Sequence, residues 1–425
     1  MKKSKYSLVI DETYLFNTLW GSLEKINKDF LKKWNEFKWD NFSDTEKSIL
    51  KSRKHVVDDS EEILNYEDFN VQSNNVSRFY IIFSYDCNLN CTYCFENNIK
   101  KKESITNYKL DYLFASIKKI IKIRKSEYNE IVLFGGEPFL LKNYSMIDKT
   151  LNFCKKNNIF VSAISNGTNI SIYSKIIKEY KSIIKWMSIT IDGTKEYNDI
   201  RRVGKNKEGT FSKIIENIDY LTQENIKVSI RMNIDKNNVN NVPDFINYMR
   251  CRYDNKIEIS LSLVEDNTNI GNKNLLSYNE ITNKLIDFNL LSVDNVEINI
   301  KPINKINNIL NNPKISMPLF KYCWIGSYYT FTPSGEIFVC PESCEHHSLK
   351  IGNFYPNSYI NEQKIKFLLE LNALNIDMCK NCYFAPICGS GCYIRRIANQ
   401  NICYKKDIYQ SLQTQINNIE KRKKS

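Results

Sequence analysis

The chain has 425 residues, too many for one ordinary hydrophobic core and enough for about two or three domains. Its 60 Lys and Arg exceed its 48 Asp and Glu, a formal charge of +12, yet no basic stretch interleaved with aromatics forms a nucleic-acid motif, and the richness in Ile, Lys and Asn is general. No run of about eighteen uncharged apolar residues exists to span a membrane, and Leu8, Val9 and Ile10 are too few for a signal-peptide core, so a cytoplasmic protein is expected, whose thirteen cysteines point to metal or redox chemistry rather than disulfides.

Residues 1–75 read as a small α+β domain without cysteine. Short strands are expected over Tyr6 to Ile10 and Thr13 to Asn17, followed by helices over Lys28 to Phe37 and Thr45 to Val57. The acidic and polar run from Asp58 to Asn75 predicts a linker. Over residues 76–305, β-type apolar runs alternate with amphipathic helical stretches, as a parallel sheet of βα units demands. Strands are predicted at Phe79 to Tyr85, Glu130 to Phe134, Phe160 to Ile164, Trp186 to Ile191, Lys227 to Asn233 and Lys256 to Ser262. Six are too few for a closed eight-fold barrel. They predict an α/β fold, an open, partial (β/α)6 TIM-like barrel with its chemistry beyond the carboxyl ends of the strands. Over residues 306–425 the βα rhythm stops, and eight of the thirteen cysteines fall between Cys323 and Cys403. A hairpin is expected over Tyr328 to Thr332 and Glu336 to Cys340, turning through Pro333, Ser334 and Gly335, with a closing helix from Asp407 to Ser425.

Directly after the first barrel strand come Cys87, Cys91 and Cys94, a Cx3Cx2C spacing. Three thiolates so close can hold three irons of a [4Fe-4S] cluster and leave the fourth iron open to an external ligand; a zinc knuckle is the alternative on spacing alone. With aromatic Tyr93 inside it, this loop resembles the signature of the radical S-adenosylmethionine (SAM) superfamily, in which the open iron takes the amino and carboxylate groups of methionine. One βα unit later, Gly135, Gly136, Glu137 and Pro138 resemble that family's GGEP motif: two glycines let a backbone approach a ligand closely, and Glu137 or nearby carbonyls could accept hydrogen bonds from an ammonium group. Ser165 and Asn166, followed by Gly167 and Thr168, resemble the family's TNGT turn. The resemblance further implies cofactor contacts from Ser188, Asp192 and Arg202, although Asn198 stands where relatives carry His.

The C-terminal cysteines form the pattern Cx11Gx4C, gap, Cx2Cx5Cx3C, gap, C, which resembles the SPASM domain; structural zinc on the Cx2C pair is the alternative. The resemblance implies two auxiliary [4Fe-4S] clusters, three clusters in all. The inner auxiliary cluster would use Cys323, Cys340 and Cys392, and the outer one Cys379, Cys382, Cys388 and Cys403. Cys344 is the nearest candidate for a fourth inner ligand. Cys154 and Cys251 remain as plain core residues.

Taken together, the resemblances imply reductive cleavage of SAM to methionine and a 5′-deoxyadenosyl radical that takes hydrogen from an unactivated C–H bond, with flavodoxin or ferredoxin as external electron donor. SPASM-bearing relatives mostly modify peptides, and many begin with a winged-helix-like domain that captures a leader peptide as an added strand; residues 1–75 are expected to serve in that way or to cap the barrel. The favoured reading is a maturase that installs an oxidative cross-link, a thioether above all, in a ribosomally made precursor peptide. An anaerobic sulfatase-maturing enzyme is the runner-up, disfavoured by Pro341, which stands where those relatives carry Asp. A non-catalytic metal-binding or electron-transfer scaffold leaves the GGEP element unexplained. No catalytic acid or base is assigned; Glu96, Glu342 and Cys344 are the places to look.

Overall fold

The computed structural model describes residues 1–58, 76–94, 96, 103–266, 272–291, 293–311, 320–323, 326–344, 346–398 and 403–424. The expected linker falls almost wholly outside them. At the N-terminus, β1 (Lys2–Lys3) pairs antiparallel with β5 (Val56–Val57), while β2 (Ser7–Ile10), β3 (Tyr14–Asn17) and β4 (Leu23–Lys25) make a three-stranded antiparallel sheet. Between them lie α1 (Lys28–Glu36) and α2 (Asp44–Ser52). The Asn27 side chain accepts the Phe30 N–H to start α1, and Ser43 with Glu46 closes a reciprocal capping box on α2.

The barrel follows as β6 (Val76–Ile82), α3 (Asn107–Arg124), β7 (Tyr128–Phe134), α4 (Tyr144–Lys156), β8 (Phe160–Ser165), α5 (Ser174–Glu179), β9 (Ile184–Thr190), α6 (Lys195–Arg201), α7 (Phe211–Gln223), β10 (Val228–Ile234), α8 (Val242–Tyr253) and β11 (Ile257–Leu263). All six expected strands are present, shifted by a few residues. The first starts three residues earlier and ends at Ile82, which leaves Phe83 to Tyr85 to lead into the cysteine loop. After α9 (Tyr278–Asp287) comes a seventh parallel strand, β12 (Val296–Ile298), too short to announce itself by pattern. Next comes α10 (Lys301–Asn311).

The expected hairpin is β13 (Tyr328–Phe331) and β14 (Glu336–Phe338), extended by β15 (Lys350–Asn353) and β16 (Tyr359–Ile360). It is not a separate sheet. β13 lies parallel to β6, with Phe331 opposite Ile81, so eleven strands form one mixed sheet in the order β12-β11-β10-β9-β8-β7-β6-β13-β14-β15-β16. Helices α11 (Glu362–Glu370), α12 (Asp377–Lys380), α13 (Ala385–Cys388), α14 (Tyr393–Ala398) and α15 (Lys405–Lys424) complete the chain. One continuous apolar core includes Leu8 and Phe16 of the N-terminal sheet, Ile81 and Ile230 of the barrel and Ile408 and Leu412 of α15. The N-terminal region is also fixed to the C-terminal region by an edge-to-face contact of Tyr6 with Phe320, ring centres 5.7 Å apart, and by the Thr18 hydroxyl donating to the Tyr383 carbonyl. Among the described residues no helix is long and apolar enough to cross a membrane.

Candidate functional site

The cysteine loop leaves β6 and is clamped from both sides. On one side the Asn90 N–H donates to Val203 O (2.8 Å) and the Thr92 N–H to Arg201 O (3.1 Å). On the other, Asn166 Nδ2 donates to Asn88 Oδ1 at 2.9 Å and approaches Cys87 Sγ at 3.7 Å, while Asn88 Nδ2 donates to Thr168 Oγ1 at 2.8 Å. The SNGT turn therefore holds the loop in place. Two glycines do the same at the end of β7. Gly135 and Gly136 have φ of +84° and +50°, and a Cβ on Gly136 would stand 2.1 Å from Asp86 O. Only this bare backbone lets the turn lie against the cysteine loop.

Beyond the carboxyl ends of the strands opens a cavity of about 520 Å3, within the range of small-molecule sites. Cys87, Cys91 and Cys94 line one wall; Cys323, Cys340 and Cys392 line another. Tyr93, Gly135, Gly136, Ser165, Asn166 and Arg202 also face it. Glu137, Pro138, Ser188 and Asp192 do not. Glu137 is fully buried and spends both carboxylate oxygens on the scaffold, accepting from Phe139 N, Ser165 Oγ and Asn166 N at 2.7–2.9 Å. The Pro138 carbonyl accepts from Asn143 Nδ2. On β9 the inward face alternates, so Ser188 lies one layer below Thr190, which is the residue that meets the cavity. Asp192 accepts hydrogen bonds from the Tyr93 hydroxyl and the Asn233 N–H, bracing the loop from behind.

Charge in the cavity is divided. Tyr93 carries the Arg201 guanidinium 4.8 Å above its ring and takes a hydrogen bond from Arg202 Nη1 at 2.8 Å. Burial pushes the Cys91 thiol up, while Arg202 and then Arg201 pull it towards thiolate. Burial raises Cys87 to about 12, with Glu137 adding to the rise. Two side chains without a motif also face the cavity. Glu96 accepts the Gly136 N–H at 2.8 Å, and burial raises its carboxyl to about 7. Ser262, at the end of β11, holds its buried hydroxyl towards the cavity without a hydrogen-bond partner among the described residues. Its only signal in the sequence is a polar residue at a strand's carboxyl end.

The C-terminal thiols fall into two sets. Burial raises Cys340 well above the usual thiol range, and Glu342, Cys323 and Cys392 act on it next. Cys388 is pushed up to about 12 by burial, with Lys305 opposing and Cys379, Cys382 and Cys403 adding to the shift. Each of these two thiols thus has among its neighbours cysteines that the resemblance groups with it. Cys344 stands apart: it is packed with Ile82 and Phe338 and directs its Sγ to Cys340 O at 3.9 Å, off the cavity wall. Among the described residues, no three Cys, His, Asp or Glu close on one point as a single ion requires. A cubane binds each thiolate through a different iron, and all-thiol sets are its donor chemistry, so the residues suit that group. Lys301 lines the cavity beside the inner set; burial lowers its ammonium, but Cys323, Glu342, Cys340 and Cys392 outweigh this and raise it. Burial takes Lys305 down to about 7, against the pull of Cys388 and Cys323.

Residues 81–249 match the radical SAM superfamily. The chain is 28% identical over 335 residues to a cysteine-type anaerobic sulfatase-maturating enzyme of Clostridium novyi (strain NT), covering 73% of this chain and 85% of that protein. It is 22% identical over 414 residues to the radical SAM cyclopropyl synthase TigE of Paramaledivibacter caminithermalis, covering 87% and 84%. Streptococcus suis SuiB bound to precursor peptide SuiA shares the fold with a TM-score of 0.60 at 14% identity, over 94% of this chain and 97% of SuiB. The cysteine loop and the glycine turn lie within the matched stretch, residues 81–249, which carries the radical SAM fold, and the sheet runs on from it into the cysteine-rich C-terminal region.

Proposed function

We propose that this radical SAM enzyme is a peptide maturase that forms an oxidative cross-link, a thioether above all, in a ribosomally made precursor. The observation that carries the reading is the single cavity walled by two cysteine trios, Cys87, Cys91, Cys94 and Cys323, Cys340, Cys392. When bound, SAM on its cluster supplies a hydrogen-abstracting carbon radical, and auxiliary clusters supply an outlet for the second electron of a bond-forming oxidation. The chain's own residues orient and shield. The backbone of Gly135 and Gly136, with Glu96, offers acceptors for an ammonium group, and Arg202 offers a buried guanidinium for a carboxylate. Apolar and aromatic walls, including Phe134, Leu263, Val264 and Tyr328, keep water from the reacting centre.

Residues 1–75 are read as the leader-recognition element, residues 76–305 as the barrel and residues 306–425 as the SPASM region. Support for the first comes from the β2-β3-β4 sheet, whose outer strands offer edges for an added peptide strand, and from likeness to SuiB across nearly its whole length. Flavodoxin or ferredoxin is the proposed donor, in the cytoplasm, where thiols stay reduced. The second reading, maturation of a sulfatase by formylglycine formation, is favoured by the similarity to the Clostridium novyi enzyme. Mass spectrometry of a candidate precursor after anaerobic incubation with SAM and reductant decides between them. A loss of two hydrogens per cross-link, with sulfur retained, supports the maturase; replacement of a cysteine's sulfur by oxygen supports the alternative, and an unmodified cysteine-rich precursor from a neighbouring reading frame counts against the first.

A further inference from the structure

On α10, Lys301 and Lys305 stand one turn apart and so share a face. Lys301 opens onto the cavity, its Nζ 4.4 Å above the Tyr322 ring, and faces Cys323, Cys340, Cys392 and the Glu342 carboxylate. Lys305 is 2% exposed and lies behind it. Its Nζ donates to Lys321 O at 2.7 Å, which fixes it two residues from Cys323 of the inner set, while α13 packs on the same helix and brings Cys388 of the outer set beside it. We infer that these two lysines form a cationic row that sets the reduction potentials of the two auxiliary cluster sites, Lys301 acting on the inner site alone and Lys305 on both. The inference rests on reading the two cysteine sets as cluster ligands.

A reduced cluster carries one more negative charge than an oxidised one, and an ammonium beside it favours the reduced form; the negative charge of a thiolate-bound cluster in turn favours the protonated state of Lys305, which burial and Lys301 oppose. Away from water that preference is weakly screened. A methionine of similar length would fill the same space without charge, so shape alone does not require lysine at either place. The placement makes the inner site, which borders the cavity, the better electron acceptor of the two, because two ammonium groups face it and one faces the outer site. An electron released by a substrate radical would therefore be taken up at the cavity wall.

The test is an EPR-monitored redox titration of the full-length, anaerobically reconstituted protein, of Lys305→Met and of Lys301→Met, each after iron has been counted. Lys305→Met is expected to move both auxiliary midpoints to more negative potential by on the order of tenfold or more in the one-electron equilibrium, about 59 mV. Lys301→Met is expected to move the inner midpoint alone, and Lys305→Arg to restore the native values. Unmoved midpoints in variants that carry native iron overturn the inference. If Lys305→Met does not load iron, Lys301→Met decides: a shift confined to the inner site supports the row, and no shift rejects it. Native protein with only about four irons per chain overturns the cluster reading itself, and the iron count alone reveals that outcome.

Discussion

Gly136 and Asp86 meet because one of them has no side chain. The φ of +50° and the 2.1 Å that would separate a Cβ from Asp86 O mean that Gly136→Ala must push the glycine turn off the cysteine loop. A destabilisation on the order of 2 kcal/mol or more is expected, with reduced iron loading of the first trio, both read by denaturant titration and iron assay. Changing Cys87, Cys91 and Cys94 together to Ala should abolish 5′-deoxyadenosine production in a chromatographic assay; retained cleavage would remove these residues from the role given to them. At this scale the sequence was most legible where chemistry demands fixed spacing within one loop. Cys87, Cys91, Cys94 and the glycine pair all reach the cavity. It was least legible where a residue's task depends on which way a strand or turn faces. Glu137 reads as a ligand contact and braces a turn, whereas Glu96, Thr190, Ser262 and Lys301 carry no motif and line the cavity.

Among the elements, the six long parallel strands were visible because each sets buried apolar residues, in runs as on β7 or in alternation as on β10, between amphipathic helices. β12 was not, since three residues establish no period, and the pairing of β13 with β6 was not, since contacts between distant segments leave no local trace. The β1–β5 pair has its own vulnerability. His55 precedes β5, is fully buried, and shares its Nδ1 with the Ser7 hydroxyl at 3.0 Å, while its Nε2 has no partner among the described residues. Burial, with Arg53 adding to it, lowers the imidazole from 6.5 to about 4. The folded state therefore prefers the neutral ring: that stability is present in full above pH 6.5 and is lost as pH falls from 6.5 towards 4, on the order of 3 kcal/mol in total. The protection of the β1–β5 amides against hydrogen exchange, taken relative to the intrinsic rate at each pH, should fall from pH 7 to pH 5, and should do so far less in His55→Gln. In the outer cysteine set, Cys382→Ala is expected to spare SAM cleavage more than product formation, measured as deoxyadenosine against modified peptide; an undiminished product yield would make the outer site dispensable.

Across the whole molecule, one sheet joins the barrel to the C-terminal region and brings two cysteine trios, more than two hundred residues apart in sequence, to walls of the same cavity. The family resemblance and the proposed ligand sets were readable beforehand as spacing. Their convergence was not, because it depends on β13 completing the sheet beside β6. Iron should approach roughly twelve atoms per chain when all three sites are filled. The central claim is that the first trio leaves one iron open to SAM. Its most direct test is the EPR spectrum of the reduced, anaerobically reconstituted protein in which the auxiliary ligands Cys323, Cys340, Cys379 and Cys382 have been changed to Ala, recorded before and after addition of SAM. A single cluster whose signal changes when SAM is added is expected; a signal that stays the same at saturating SAM would mean that no iron of the first trio is open to it.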